Sequence, residues 1–101
     1  MLERDLYEQI GMIHSDVRID IGFRKHCTSC MKLVNNAMRI AAYNPRIKIH
    51  LFQMERLSDH HLRYGASCVP FLMINGRYTF LGERTPRQLL WIIAEAVGKE
   101  Q

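Results

Sequence analysis

The stretch FRKHCTSCMKL, Phe23 to Leu33, sets Cys27 and Cys30 three positions apart where the apolar repeat of the chain changes. Upstream, Val17, Ile19, Ile21 and Phe23 alternate with Arg18, Asp20 and Gly22, a period of two that predicts a strand. Downstream, Cys30, Val34, Ala37 and Ala41 form one stripe, flanked by Leu33, Met38 and Ile40, so the spacing predicts a helix that starts at the cysteine pair. Asn44-Pro45 ends it, because proline disfavours the α region for the residue before it. A strand running into two cysteines at a helix start leaves three readings: a redox couple, half of a metal site, or two buried thiols.

Outward from this junction the chain divides into further elements. Leu2, Leu6, Ile10 and Ile13 recur at helical spacing with Glu3, Arg4, Asp5 and Glu8 mostly on the other side, an amphipathic helix over 2–13. Ile47 to Phe52 reads as a strand, and Ser58 to Tyr64 as a short helix with a serine cap and Gly65 as its stop. Pro70 opens Phe71-Leu72-Met73-Ile74, and Asn75-Gly76 tolerates the positive φ of a tight hairpin turn into Arg77–Leu81. Thr85-Pro86-Arg87-Gln88 has the form of a capping box with proline at the first helical position, followed by Leu89, Leu90, Ile92, Ile93, Ala96 and Val97 before Gly98. The order α-β-α-β-α-β-β-α predicts an α/β fold, a four-stranded mixed sheet with helices on both faces. In it, strands joined through helices are parallel and the hairpin adds an antiparallel edge.

A chain of 101 residues, 48% of them hydrophobic, is expected to form one domain over 1–101, because domains of ~100–150 residues bury enough surface to fold alone. It opens with MLERDLYEQ, acidic and polar where a secretory signal needs a basic start and an apolar stretch. The longest apolar runs, VPFLMI and LLWIIA, are far shorter than the ~20 residues that cross a bilayer. These features predict a soluble, cytoplasmic protein with no membrane partner. The net charge of +4 comes from basic residues scattered along the chain, without a dense block or interleaved aromatics, so no nucleic-acid partner is expected.

In a reducing compartment a close cysteine pair points to redox chemistry or metal binding rather than to a permanent staple. Thiol–disulfide exchange needs an exposed thiolate formed at neutral pH and a second thiol near enough to resolve the mixed disulfide. At a helix start the first sulfur meets unpaired N–H groups and the positive end of the macrodipole, and the second lies about one turn further in. Cys27 is then the nucleophile and Cys30 the resolving thiol, with Arg24, Lys25 and His26 adding positive charge beside Cys27. A structural zinc site wants four ligands, usually as two short-spaced pairs. Here the only other cysteine is Cys68, and His60-His61 are adjacent and so diverge on a helix. The reading is therefore no metal and no cofactor beyond the Cys27–Cys30 couple. The alternative is a binding module whose C-x-x-C holds zinc or an iron–sulfur centre, with His26 and Cys68 as further candidate zinc ligands.

With its strand feeding C-x-x-C and the downstream run Tyr64-Gly65-Ala66-Ser67-Cys68-Val69-Pro70, the chain resembles the thioredoxin-like superfamily. Within it, the chain is most similar to the N-terminal redox domain of the alkyl hydroperoxide reductase flavoprotein. Ala41-Ala42-Tyr43-Asn44-Pro45-Arg46-Ile47-Lys48, Val69-Pro70 and Ile74-Asn75-Gly76 carry that likeness. The resemblance implies a thioredoxin-like fold and a thiol–disulfide oxidoreductase that reduces protein disulfides, with a peroxiredoxin as a candidate acceptor. It also implies a cis Pro70 that faces the sulfurs and leaves the Val69 backbone free to pair with an extended substrate segment; a trans proline opening an edge strand is the other reading. Asp20, seven before Cys27, stands at an offset where the resembling flavoprotein domain also has an acid, a likeness that implies a proton acceptor for Cys30, the other reading being a solvated residue on a strand edge. Thr28-Ser29 between the cysteines matches neither thioredoxin nor glutaredoxin, and Cys68 and Gly82-Glu83-Arg84 replace the glutaredoxin segments that hold glutathione, which argues against glutathione binding. Cys68 itself reads as a small buried residue, or else as a third redox thiol. Since 101 residues leave no room for a flavin or nicotinamide domain, the electron donor is expected to be a separate reductase.

Overall fold

The computed structural model describes residues 4–54 and 70–100. Seven elements follow one another: α1 (Arg4–Gly11), β1 (Val17–Phe23), α2 (Thr28–Ala41), β2 (Ile47–Gln53), β3 (Phe71–Ile74), β4 (Tyr78–Leu81) and α3 (Pro86–Glu100). The strands form one sheet in the order β2-β1-β3-β4. β1 and β2 run parallel across α2, with Val17 opposite Ile47 and Phe23 opposite Gln53. β3 runs antiparallel to β1, pairing Ile19 with Ile74 and Gly22 with Phe71, and β4 is antiparallel to β3. The sheet is thus mixed, as the sequence predicts, but β3 does not run parallel to β1. An apolar pattern carries no direction: Leu72 and Ile74 meet Ile21 and Ile19 on one face whichever way the strand runs.

That face carries the main core. Val17, Ile19, Ile21, Leu72 and Ile74 from the sheet pack with Leu6 and Ile10 of α1, Leu33, Val34, Ala37 and Ile40 of α2, and Leu89, Leu90, Ile92, Ile93 and Ala96 of α3. All three described helices therefore serve one face. On the other face Met54 and Phe71 form a second, small cluster with Phe52. The expected helix over 58–64, which would be the fourth, lies outside the described residues.

Local chemistry explains the boundaries. Thr85 and Gln88 form the reciprocal capping box: Gln88 N–H donates to Thr85 Oγ1 at 3.1 Å and Thr85 N–H to Gln88 Oε1 at 2.9 Å, satisfying two donors at the start of α3. The helix does not stop at Gly98. That glycine has no positive φ, and a helical glycine costs only about 1 kcal/mol. Asn75 and Gly76 both have positive φ, 53° and 70°, as a type I′ turn requires. Asn75 also accepts from Arg18 N–H through Oδ1 at 2.7 Å and donates its own N–H to Arg18 O at 2.9 Å, tying the turn to β1.

Asn44 does more than end a helix. Buried, it donates through Nδ2 to Ile10 O at 2.7 Å and Ile13 O at 3.0 Å, and accepts from Arg46 N–H at 3.0 Å. It thereby fastens the end of α1 to the start of β2. Met38, expected to flank the buried stripe of α2, is exposed instead. No helix among the described residues is long and apolar enough to cross a membrane.

Candidate functional site

The chain leaves β1 at Phe23, turns through Arg24, Lys25 and His26, and enters α2 with Cys27 as its N-cap. His26 adopts φ 59°, the left-handed region that non-glycine residues seldom occupy. The turn allows the backbone to reverse out of the strand within three residues. Cys27 is extended, φ −104° and ψ 106°, and its carbonyl accepts the helical bond from Met31 N–H at 3.2 Å. Its Sγ accepts from Cys30 N–H at 3.2 Å, the place a serine or aspartate oxygen takes in an ordinary cap, and lies 3.6 Å from Ser29 Oγ.

Cys27 and Cys30 are joined as a disulfide, with Cα atoms 5.2 Å apart. The two ends of the bond differ in access. Cys27 is partly exposed, whereas Cys30 is 0% exposed on the inward side of α2. The helix start thus holds one sulfur at the surface, where it accepts Cys30 N–H, and the other beneath it. Lys25 and His26 are exposed next to Cys27 in the chain, and Arg24 and Lys25 line a hollow of about 280 Å³ with Gln53 and Met54.

Pro70 is brought to the same end of the sheet. It precedes the Phe71–Gly22 pair, its carbonyl accepts from Gly82 N–H at 2.8 Å, and it is buried. The β1–β3 register therefore sets Pro70 beside the strand end from which the chain runs into Cys27. The close approach depends on Gly22, since a Cβ there would fall within 3.0 Å of three Phe71 ring carbons. Val69, and with it the isomer of the Val69–Pro70 bond, lies outside the described residues, as does Cys68.

Asp20 is not a solvated residue on a strand edge. β1 has neighbours on both sides, and Asp20 is 4% exposed on the face opposite the main core, opposite His50 and Met73. Its Oδ2 pairs with Arg18 Nη2 at 3.2 Å, its Oδ1 lies 3.7 Å from His50 Nδ1, and Oδ1 has no hydrogen-bond partner among the described residues. Neither cysteine is joined to Asp20 by a hydrogen bond among the described residues. Arg18, two residues back on the same strand, shares Asp20's face by alternation alone, whereas His50 comes from β2 and is not evident in the sequence because cross-strand register is invisible there. Ser29, which reads in the sequence only as a departure from family patterns, stands beside the Cys27 sulfur. Among the described residues no group of three or more histidines, cysteines and acids could hold a metal ion.

The thioredoxin domain family profile matches residues 17–94. No curated protein matches the chain. Among solved structures, the alkylhydroperoxide reductase AhpF of Enterococcus faecalis superposes with a TM-score of 0.82 at 22% identity, covering 92% of this chain and 44% of that one. A protein disulfide oxidoreductase from Aeropyrum pernix gives 0.82 at 25% identity, covering 97% of this chain and 44% of that one. Oxidised thioredoxin of Plasmodium falciparum gives 0.63 at 14% identity over 94% and 92% of the two chains. The chain thus spans less than half the length of the first two.

Proposed function

The chain belongs to the thioredoxin domain family, and from that premise we propose that it reduces protein disulfides by dithiol exchange through Cys27 and Cys30. The observation that carries this reading is the asymmetry of the pair: a partly exposed Cys27 sulfur capping α2 and accepting Cys30 N–H, above a fully buried Cys30. In the reduced state that N–H and the helix macrodipole favour the Cys27 thiolate. Lys25 adds positive charge along the same turn, and His26 is exposed beside it.

The exchange proceeds in two displacements. Cys27 thiolate attacks one sulfur of the substrate disulfide, forming a mixed disulfide and expelling the other substrate sulfur as a thiolate, which takes up a proton. Cys30 then loses its proton and attacks Cys27 Sγ. The Cys27–Cys30 disulfide forms and the second substrate sulfur departs as a thiol. Two electrons pass from the dithiol to the substrate, and a reductase centre beyond these 101 residues must return them. The pairing of Phe71 with Gly22, which sets Pro70 next to the strand end that leads to Cys27, supports a docking role for Val69 and Pro70. Likeness to the alkylhydroperoxide reductase AhpF supports a peroxiredoxin as the acceptor.

Trapping tests the roles. Cys30→Ser should accumulate a mixed disulfide with an oxidised protein substrate, seen as a reductant-sensitive adduct by mass spectrometry, and Cys27→Ser should accumulate little. Equal trapping by the two variants removes the assignment.

A further inference from the structure

A second concave site lies away from the cysteines. It is a groove of about 570 Å³ between α2 and the connection from β4 to α3. Three cations line it, Lys32 and Arg39 from α2 and Arg84 from the connection, against one carboxylate, Glu83. Asn36 fixes the wall by donating through Nδ2 to Arg84 O at 2.9 Å. Among the described residues neither Lys32 nor Arg39 is paired with a carboxylate. The first amides of α3 are partly consumed by the Thr85–Gln88 capping box, so the positive potential comes chiefly from side chains, focused by the concave walls.

Lys32, Asn36 and Arg39 recur at i, i+4 and i+7, one stripe of α2. At 1.5 Å per residue, Lys32 stands about 7–8 Å along the axis from Cys27 and Arg39 about 18 Å. The stripe starts on the first turns of α2, about 140° round the helix from Cys27, and runs along the axis away from the end that carries the redox pair.

We propose that this groove docks an acidic segment of the polypeptide whose disulfide Cys27 attacks. The segment's carboxylates meet Lys32, Arg39 and Arg84, and Asn36 and its polar neighbours face its backbone. Glu83 disfavours a polynucleotide, which would find a repelling charge in the groove, and among the described residues no aromatic side chain lines the groove itself. The identity of the segment rests on the thiol–disulfide reading; its binding does not.

Trp91 supplies the readout. It is the single tryptophan, 65% exposed, in an adjoining hollow that shares Arg84 with the groove. Oxidised wild-type protein is titrated with a cysteine-free peptide rich in Asp and Glu and with its Asn and Gln counterpart, following Trp91 fluorescence. The acidic peptide should bind about tenfold more tightly at low ionic strength and lose that advantage in high salt. Lys32→Glu with Arg39→Glu should abolish the preference, and Lys32→Gln with Arg39→Gln should reduce it about fivefold, two exposed ion pairs' worth; circular dichroism confirms folding of both. Equal binding of the two peptides, an unchanged preference in the charge-reversed protein, or tighter binding of a single-stranded oligonucleotide overturns the proposal. These outcomes leave the redox reading standing, because oxidised protein cannot exchange with a peptide that has no cysteine. A Cys30→Ser protein that traps nothing sinks the redox reading alone.

Discussion

Gly22→Ala probes the contact that draws Pro70 toward the cysteine turn. The added Cβ would come within 3.0 Å of Cε1, Cζ and Cδ1 of Phe71, whose side chain is fully buried. Overpacking of this kind costs about 1–3 kcal/mol, and three close ring atoms place Gly22→Ala at the upper end. The alanine recovers about 0.4–1 kcal/mol by restricting the unfolded chain, leaving a net loss of about 2 kcal/mol and a fall in Tm of about 8–16 °C for a domain of this size. Phe71→Leu supplies the second side of a cycle. Leucine has no atoms beyond Cδ and so lacks Cε1 and Cζ, the two atoms nearest the added Cβ. Alone it should cost on the order of 1–2 kcal/mol in lost packing. Urea denaturation of the oxidised wild type, both single variants and the double variant measures the coupling. The double variant should be less destabilised than the sum of the two by about 2 kcal/mol. Additivity within about 0.5 kcal/mol would refute the steric argument, and with it the claim that Gly22 is what permits β3 to close on β1 here.

Two further substitutions test the joints of the fold. Asn44→Ala removes three hydrogen bonds, two to the carbonyls of Ile10 and Ile13 at the end of α1 and one from Arg46 N–H before β2, and should lower stability by about 2–4 kcal/mol in thermal unfolding, whereas a loss below about 0.5 kcal/mol would mean that water replaces the amide without penalty. Thr85→Ala should cost about 1 kcal/mol by opening the capping box of α3, and Thr85→Ser, which keeps the hydroxyl that accepts Gln88 N–H, should retain most of it.

Much of this architecture is legible in the chain itself because it depends on neighbours in sequence. The alternation of Val17 to Phe23, the change to helical spacing at Cys30, the Asn75-Gly76 turn and the Thr85–Gln88 cap each rest on contacts a few residues apart, and each appears where its pattern stands. The C-x-x-C at a helix start is of the same kind, which is why the redox pair is readable before any coordinates. What depends on residues far apart in sequence is not. The direction of β3 follows from where the chain re-enters the sheet, and a two-residue repeat is the same read forward or backward. Asp20 looks like any polar residue of an alternating strand. Only a central position for β1, with His50 brought alongside by register, makes it a buried carboxylate. Asn44 reads as a helix stop until α1 folds back and offers it the carbonyls of Ile10 and Ile13. The groove of Lys32, Arg39 and Arg84 needs α2 and the β4–α3 connection side by side. Sequence determined the elements and the chemistry of the cysteine pair. Only tertiary packing decided which distant groups meet, because charge and burial at a residue are set by its neighbours in space.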